Sequence, residues 1–454
     1  MKLKDIHTVY FIGIGGIGMS AIARFYNSQG KHVLGYDKTE TVLTQSLQKE
    51  GIKIHFNDLG DSILNQLNKE NTLVIYTPAI PQNHAEYNAF KNAGFNIIKR
   101  AKALGIISNE KETYAVAGTH GKTTTSSILA HVLYETKESC NAFIGGITTN
   151  YQSNCLINEK SNKIVVEADE FDRSFLQLSP NYTIITTMDA DHLDIYGDAE
   201  TLKNSFIDFA NKNDDNGLLM VNANLNFTNY KGLTKCLTYG FNQSANWKGQ
   251  NLRYEKGLLF FDIVNGLIGY KDVQLGLPGK HNAENALAVF GLLIETGVPE
   301  KNIRESFKTY KGVKRRFEYH IRRDDLIIID DYAHHPKEIT AFLGSVKEIY
   351  PTKKITAVFQ PHLFSRTNDF MNEFATALAL ADNLYLLDIY PARELPIKGV
   401  TSQVLLDIIK MDNKQMSSKK HIVADLHQSE HEVIVVLGAG DIDTCIKPIV
   451  KSYE

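Results

Sequence analysis

Val116-Ala117-Gly118-Thr119-His120-Gly121-Lys122-Thr123 ends in Gly-Lys-Thr, the residue set that holds the phosphates of a nucleotide. Backbone N–H groups at such a turn cradle phosphate oxygens, the lysine reaches the β- and γ-phosphates, and the threonine hydroxyl holds Mg²⁺. On this reading Gly118, Thr119, His120, Gly121, Lys122, Thr123 and Thr124 face ATP, and Thr123 is also a metal ligand. The usual first glycine of the pattern is Val116 here, and the glycine stands at 118. An incidental lysine in a glycine-rich turn is the plain alternative, and a second phosphate motif in the same chain argues against it.

That second motif is Gly13-Ile14-Gly15-Gly16-Ile17-Gly18. Glycines at a strand-to-helix turn let the backbone approach a diphosphate, whose charge meets free N–H groups at the helix start. Asp37 follows Gly18 by 37 − 18 = 19 residues, close to the spacing of a ribose-binding acid. Gly13, Gly15, Gly16, Gly18 and Asp37 therefore form a candidate diphosphate site, which alone would suggest an NAD enzyme, although the motif points to a diphosphate more securely than to which one. A tight turn with close helix–strand packing is the competing explanation.

Glu167, Asp169, Glu170 and Asp172 follow an apolar run, where one or two carboxylates suit Mg²⁺ and the others read as a solvated acidic turn. His192, in Asp189-Ala190-Asp191-His192-Leu193-Asp194, is a second-metal ligand or a loop histidine with equal weight. Asp330-Asp331-Tyr332-Ala333-His334-His335-Pro336 and Gln360-Pro361-His362-Leu363-Phe364-Ser365-Arg366-Thr367 place His and Arg after two further strands. No third ligand at zinc spacing follows the His-His pair, which excludes a structural zinc site. Gly438-Ala439-Gly440-Asp441 is one more glycine turn after a strand.

The elements that must position these residues alternate between strand and helix. Strands are predicted at Thr8–Ile14, His32–Tyr36, Thr72–Tyr76, Thr113–Ala117, Lys163–Val166, Tyr182–Thr186, Leu326–Ile329, Ile355–Phe359, Asn383–Leu387 and Val433–Leu437. Helices are predicted at Met19–Gln29, Ala85–Asn92 and His281–Thr296, several short strands between Asn216 and Leu277, and a polar loop over Asp412–Lys420. The fold class is α/β in three domains. A Rossmann-like domain spans 1–108, a central phosphate-loop ATPase domain with a mostly parallel sheet 109–314, and a second Rossmann-like domain 315–454.

A net charge of −3 gives no broad attraction to nucleic acid or anionic lipid. No run approaches the ~20 apolar residues that span a bilayer. The polar start Met1–Tyr10 is not that of a secretory signal, and the scattered Cys140, Cys155, Cys236 and Cys445 suit a reducing cytosol. A cytoplasmic enzyme is expected, without membrane insertion.

Taken in order, these strings resemble the Mur ligases along all three segments. Gly-Thr-His-Gly-Lys-Thr-Thr-Thr (118–125) is similar to the family's ATP loop, Pro278-Gly279-Lys280-His281-Asn282-Ala283-Glu284-Asn285 to its central asparagine segment, and Arg315-Arg316-Phe317-Glu318 to its arginine segment. Gly-Ile-Gly-Gly-Ile-Gly-Met-Ser, Asp-Asp-Tyr-Ala-His-His-Pro and Phe-Gln-Pro-His with Ser-Arg-Thr resemble the alanine-adding branch.

The resemblance implies a step of peptidoglycan precursor synthesis. ATP phosphorylates the carboxylate of UDP-N-acetylmuramate, and L-alanine attacks the acyl phosphate. It implies Lys122, His192, Arg316, His334 and Arg366 as catalytic residues, with Glu167 and His192 as metal ligands beside Thr123. Asn282, Asn285 and Asp331 join the ATP site, Gly13–Gly18 takes the UDP diphosphate, and His334 and Arg366 lie near the amino acid. Phe171 and Arg173 stand where the branch often has small residues, Leu363 where some members have arginine, and Phe206-Ile207 where siblings carry a carbamoylated lysine. A tripeptide-adding recycling ligase of the same family and an NAD-dependent oxidoreductase are the alternatives.

Overall fold

The computed structural model describes residues 5–454 except 82, 138, 190–195, 226, 228, 229, 231, 233, 243, 256, 257 and 393. Three sheets organise it. Strands β1 (Thr8–Ile12), β2 (His32–Tyr36), β3 (Lys53–His55), β4 (Thr72–Tyr76) and β5 (Asn96–Lys99) form a parallel sheet in the order β3-β2-β1-β4-β5. Crossing from one flank of β1 to the other leaves a crevice outside the strand ends at that switch point, where the glycine turn sits.

The second sheet has ten strands: β6 (Glu112–Ala117), β7 (Asn141–Thr148), β8 (Ser153–Leu156), β9 (Lys163–Ala168), β10 (Tyr182–Ile185), β11 (Leu218–Asn222), β12 (Lys235–Gly240), β13 (Trp247–Glu255), β14 (Leu258–Asn265) and β15 (Ile268–Leu275). Its order is β15-β14-β13-β12-β11-β10-β6-β9-β7-β8. Strand β6 lies between β10 and β9, parallel to both, so the turns leaving all three strands share one edge.

The third sheet joins β16 (Glu318–Arg322), β17 (Ile327–Asp331), β18 (Ile355–Phe359), β19 (Asn383–Leu386), β20 (Lys414–Met416) and β21 (Val433–Leu437) in the order β16-β17-β21-β18-β19-β20. Only β16 is antiparallel. Strands β17, β18 and β21 are buried at every position, the polar Asp330, Asp331 and Thr356 included, as in a sheet covered on both faces.

The chain divides into two compact units, one of residues 1–251, 261–274 and 284–310, the other of 252–260, 275–283 and 311–454. Helix α1 (Ile17–Ser28) shows why the first two sheets share a unit. Its buried residues run nearly all round it, from Met19 to Tyr26. A helix so buried needs apolar partners on two sides. One continuous core joins Val9, Phe11 and Ile22 to Phe143, Val166 and Phe209. Asn154 then seals the contact, donating to the Ile17 carbonyl at 2.5 Å and to Ser20 Oγ at 3.1 Å, and Arg24 donates to Asn154 Oδ1.

Two local expectations change. The strand predicted at Leu326–Ile329 runs on to Asp331, so Asp330 and Asp331 are strand residues. The polar Asp412–Lys420 loop contains β20, which backbone pairing with β19 holds without an apolar side-chain pattern.

Candidate active site

Strand β6 ends at Ala117, and four residues separate it from helix α2 (Lys122–Glu135). The turn between them needs glycine twice. Gly118 has φ +138°, and a Cβ there would lie 2.0 Å from Thr186 Oγ1; Gly121 caps the helix at φ +83°, with Asn285 Oδ1 3.0 Å from where its Cβ would be. The strand β10 exit braces the turn. Thr187 Oγ1 accepts from His120 N–H at 2.8 Å, Thr186 Oγ1 donates to the His120 carbonyl at 2.5 Å, and Thr119 Oγ1 donates to the Asp189 carbonyl at 3.0 Å. The first N–H groups of α2 have no partner within the helix, the kind of helix start that can meet an anion.

Lys122 lies across its own turn. Its Nζ donates to the Gly118 carbonyl at 2.5 Å and stands 2.9 and 2.7 Å from the two carboxylate oxygens of Glu170. Glu170 is 1% exposed, so it is no solvated turn residue. Burial pushes its carboxyl upward, and the lysine against it opposes that shift. Sequence reasoning named Glu170 among four carboxylates but not as the counterion of Lys122. The signal available was the ammonium itself, which needs a partner when buried.

Thr123 and Glu167 come together. Thr123 Oγ1 donates to Glu167 Oε1 at 3.0 Å, and Gly145 N–H donates to Oε2 at 2.9 Å. A hydroxyl and a carboxylate beside a phosphate turn make a hard-oxygen donor set that fits Mg²⁺. His192 lies outside the described residues.

The first glycine turn faces this carboxylate. A cleft of about 330 Å³ has Gly16 and Gly18 on one wall and Gly145 and Glu167 on the other, with Arg100 and Asp169 between them. Gly13 has φ +88°, and Cβ atoms at Gly13, Gly15 and Gly18 would come within 2.7–2.8 Å of Thr77, Asp37 and Arg100, whereas Gly16 has room. The Asp37 carboxylate helps to shape the turn, accepting from Gly15 N–H at 2.7 Å and from Thr39 N–H at 3.1 Å; one bond to each oxygen leaves lone pairs on both.

The second unit gathers a different set. Asp331 accepts from Phe317 N–H at 2.7 Å and Ala333 N–H at 2.8 Å; burial pushes its carboxyl up to about 6 against the pull of Arg316. Arg316 lies 5.1 Å from the Tyr332 ring centroid, a cation–π contact, and its charge also reaches His281 and His334. Asn282, beside His281, donates to the Pro278 carbonyl at 2.5 Å.

His334 Nδ1 lies 2.9 Å from the Tyr332 carbonyl, which can only accept, so that nitrogen carries the proton. Burial, with Arg366 and Arg316 adding, holds the ring below the usual histidine range. Arg366 approaches His362 Nδ1 at 3.4 Å, and the His334 and His362 rings meet edge to face at 5.9 Å. Burial and these neighbours bring His362 down to about 4, leaving it a neutral acceptor. His335 instead caps the helix Pro336–Ile349 in a capping box with Glu338. The edge thus presents a guanidinium and neutral imidazoles, suited to a carboxylate beside an unprotonated amine. His362 joins His334 and Arg366 although only its place in the Gln-Pro-His string hinted at a role.

Three comparisons bear on this arrangement. Residues 8–112 match the Mur ligase family catalytic domain, 116–293 the Mur ligase middle domain and 315–442 the Mur ligase glutamate ligase domain. The chain is 50% identical over 454 residues to UDP-N-acetylmuramate–L-alanine ligase of Flavobacterium psychrophilum, covering all of both chains. It is similar to the crystal structure of UDP-N-acetylmuramate–alanine ligase from Thermotoga maritima, with TM-score 0.83 and 30% identity over 98% of this chain and 99% of that one. A murein peptide ligase from Psychrobacter arcticus shares the fold, at TM-score 0.70 and 21% identity over 98% of each chain.

Proposed function

The chain belongs to the Mur ligase family, and on that footing we propose that it joins L-alanine to the carboxylate of UDP-N-acetylmuramate at the expense of ATP. The observation that carries the reading is the pairing of two glycine turns in one unit, with Glu167, the partner of Thr123, lining the cleft that the first turn also lines. A dehydrogenase has no use for Lys122 and Thr123, and the tripeptide-adding alternative has only a fold-level likeness behind it.

The chemistry follows from charge and position. Gly13–Gly18 takes the UDP diphosphate, with the α1 N-terminus supplying N–H donors. Lys122 exchanges the Gly118 carbonyl and Glu170 for phosphate oxygens of ATP as the γ-phosphoryl moves to the muramate carboxylate. Thr123 and Glu167 would hold Mg²⁺, which would supply neutralisation of charge on the nucleotide phosphates. The acyl phosphate then meets the amine of L-alanine, and phosphate leaves. Arg366 takes the alanine carboxylate in two parallel hydrogen bonds, and His334 orients the amine.

We assign 1–108 to the UDP-sugar, 109–314 to ATP and 315–454 to the amino acid. Asn285, against Gly121, serves the ATP side. The family resemblance assigns Asn282, Arg316 and Asp331 to ATP and His192 to a second metal. The four cysteines are free, and no helix among the described residues is long and apolar enough to cross a membrane; both fit a cytoplasmic enzyme handling ATP and a UDP-sugar. Phosphate release with ATP and UDP-N-acetylmuramate tests the proposal, run with L-alanine, glycine, L-serine, a tripeptide or no amine. L-alanine should be the best acceptor, and Lys122→Ala should lower turnover by orders of magnitude. Efficient use of the tripeptide with neglect of free alanine would overturn it.

A further inference from the structure

Two consecutive residues after β9 adopt the left-handed conformation without being glycine. Asp172 has φ 53° and ψ 26°, and Arg173 φ 53° and ψ 29°. Each costs energy that neighbouring contacts must offset, and such strain gathers where a chain is held to a task. Here the bend does two things. It brings Asp172 to Lys99 at 2.8 Å, and it lays the Arg173 guanidinium 5.5 Å from the Tyr196 ring centroid.

Tyr196 is 4% exposed, and its hydroxyl donates to the Glu170 carbonyl at 2.6 Å. The same carbonyl accepts from Arg173 N–H at 2.9 Å. Phe175 N–H fixes the adjoining Asp169 carbonyl at 2.9 Å, and Asp169 Oδ1 accepts from Phe171 N–H at 3.1 Å. The backbone at Glu170 is thus pinned from both sides, and its buried carboxylate is delivered to Lys122. Burial pushes the Tyr196 phenol up to about 12, so it remains a proton donor at any working pH.

We propose that Tyr196, covered by Arg173, is a positioning residue for the phosphate-loop lysine, acting through the Glu170 carbonyl that its hydroxyl holds. Neither residue touches the reacting atoms. Tyr196 sets where the Glu170 carboxylate stands, and that carboxylate sets where Lys122 waits for the phosphates. The role gives Arg173, a departure from the small residue common in the alanine-adding branch, a physical purpose. A guanidinium over a phenol ring restricts the ring and is attracted by its face.

The inference rests on the phosphate-loop reading, and binding measurements separate the two. Full-length wild type, Tyr196→Phe, Arg173→Ala and the double variant are titrated calorimetrically with ADP and, separately, with UDP-N-acetylmuramate. Turnover is measured alongside. Tyr196→Phe should weaken ADP binding and lower kcat by about tenfold each, the effect of losing one well-placed hydrogen bond. Its affinity for the UDP-sugar should stay within twofold. Arg173→Ala should move both ADP affinity and kcat the same way by about threefold, and the double variant should be no worse than Tyr196→Phe, because the arginine acts through the ring.

Should Tyr196→Phe fold poorly, the exposed Arg173 carries the test alone through the same split between ADP and UDP-sugar. Wild-type ADP affinity and kcat in Tyr196→Phe, or equal weakening of both ligands, would overturn the positioning role. Wild-type protein that binds no ADP would instead overturn the phosphate-loop reading beneath it.

Discussion

Gly145 offers a way to move one carboxylate without touching its own side chain. In strand β7 its amide donates to Glu167 Oε2 at 2.9 Å, and a Cβ built on it would lie 2.5 Å from Oε1 and 2.6 Å from Oε2. Ordinary contact begins at 3.4 Å, so in Gly145→Ala the carboxylate must withdraw by about 0.9 Å. It is the far end of a flexible side chain, so the fold absorbs the change, and the cost to stability should stay near 1 kcal/mol. Thr123 Oγ1, 3.0 Å from Oε1, loses its partner at the position where the pair would hold Mg²⁺. Misplacing a reacting constellation by ~1 Å costs about 10²-fold, or ~2.7 kcal/mol of barrier. The assay is phosphate release at saturating substrates over a Mg²⁺ titration, with a thermal melt as control. The variant should turn over about 100-fold more slowly and need more Mg²⁺ for half-maximal rate, with a melting point only a few degrees lower. Turnover within threefold of wild type and an unchanged Mg²⁺ requirement would refute the assignment of Glu167.

Gly15→Val should collide with Asp37 and Thr44, weaken UDP-N-acetylmuramate at least tenfold and leave ADP affinity within twofold, both read by calorimetry. Arg366→Lys keeps the charge but loses the planar fork, so the KM for L-alanine should rise at least tenfold while that for ATP stays within twofold. Asp330→Asn tests a buried charge. Burial pushes the Asp330 carboxyl from 3.8 up to about 7 against the pull of Arg315. A carboxyl raised in the folded state binds its proton more tightly there, so wild-type stability falls as pH rises from about 4 to about 7. The asparagine variant should match wild type near pH 4 and show a higher urea midpoint at pH 8; parallel curves would refute the assignment.

The strands His32–Tyr36, Thr72–Tyr76, Ile355–Phe359 and Val433–Leu437 were legible to the residue, because each is a short apolar run between polar or glycine-bearing turns. Both glycine turns were legible for a related reason, since each is written within eight consecutive residues. The β7–β8 hairpin and β16 carry no comparable run, with Gly145-Gly146 interrupting one and Glu318, His320 and Arg322 punctuating the other. The polar β20 is a strand only because β19 lies beside it. Glu170 was misread because its partner lies 48 residues away, and nothing local separates a buried acid from a solvated one. Asp37 stands at the expected spacing, but spacing does not show that its carboxylate also accepts from Gly15 N–H.

The placement of β6 between β9 and β10 also governs when this enzyme can come into being on the ribosome. The eight-residue phosphate signature ends at Thr123, yet the neighbours of β6 are Lys163–Ala168 and Tyr182–Ile185, and the turn is clasped by Thr186 and Thr187. A nascent chain that has released the signature therefore lacks both flanks of the proposed nucleotide site until some sixty further residues have emerged and paired. Through that interval the buried runs of the central sheet depend on chaperones or on speed. A fragment ending before Tyr182 would keep the signature intact and bind nothing with it.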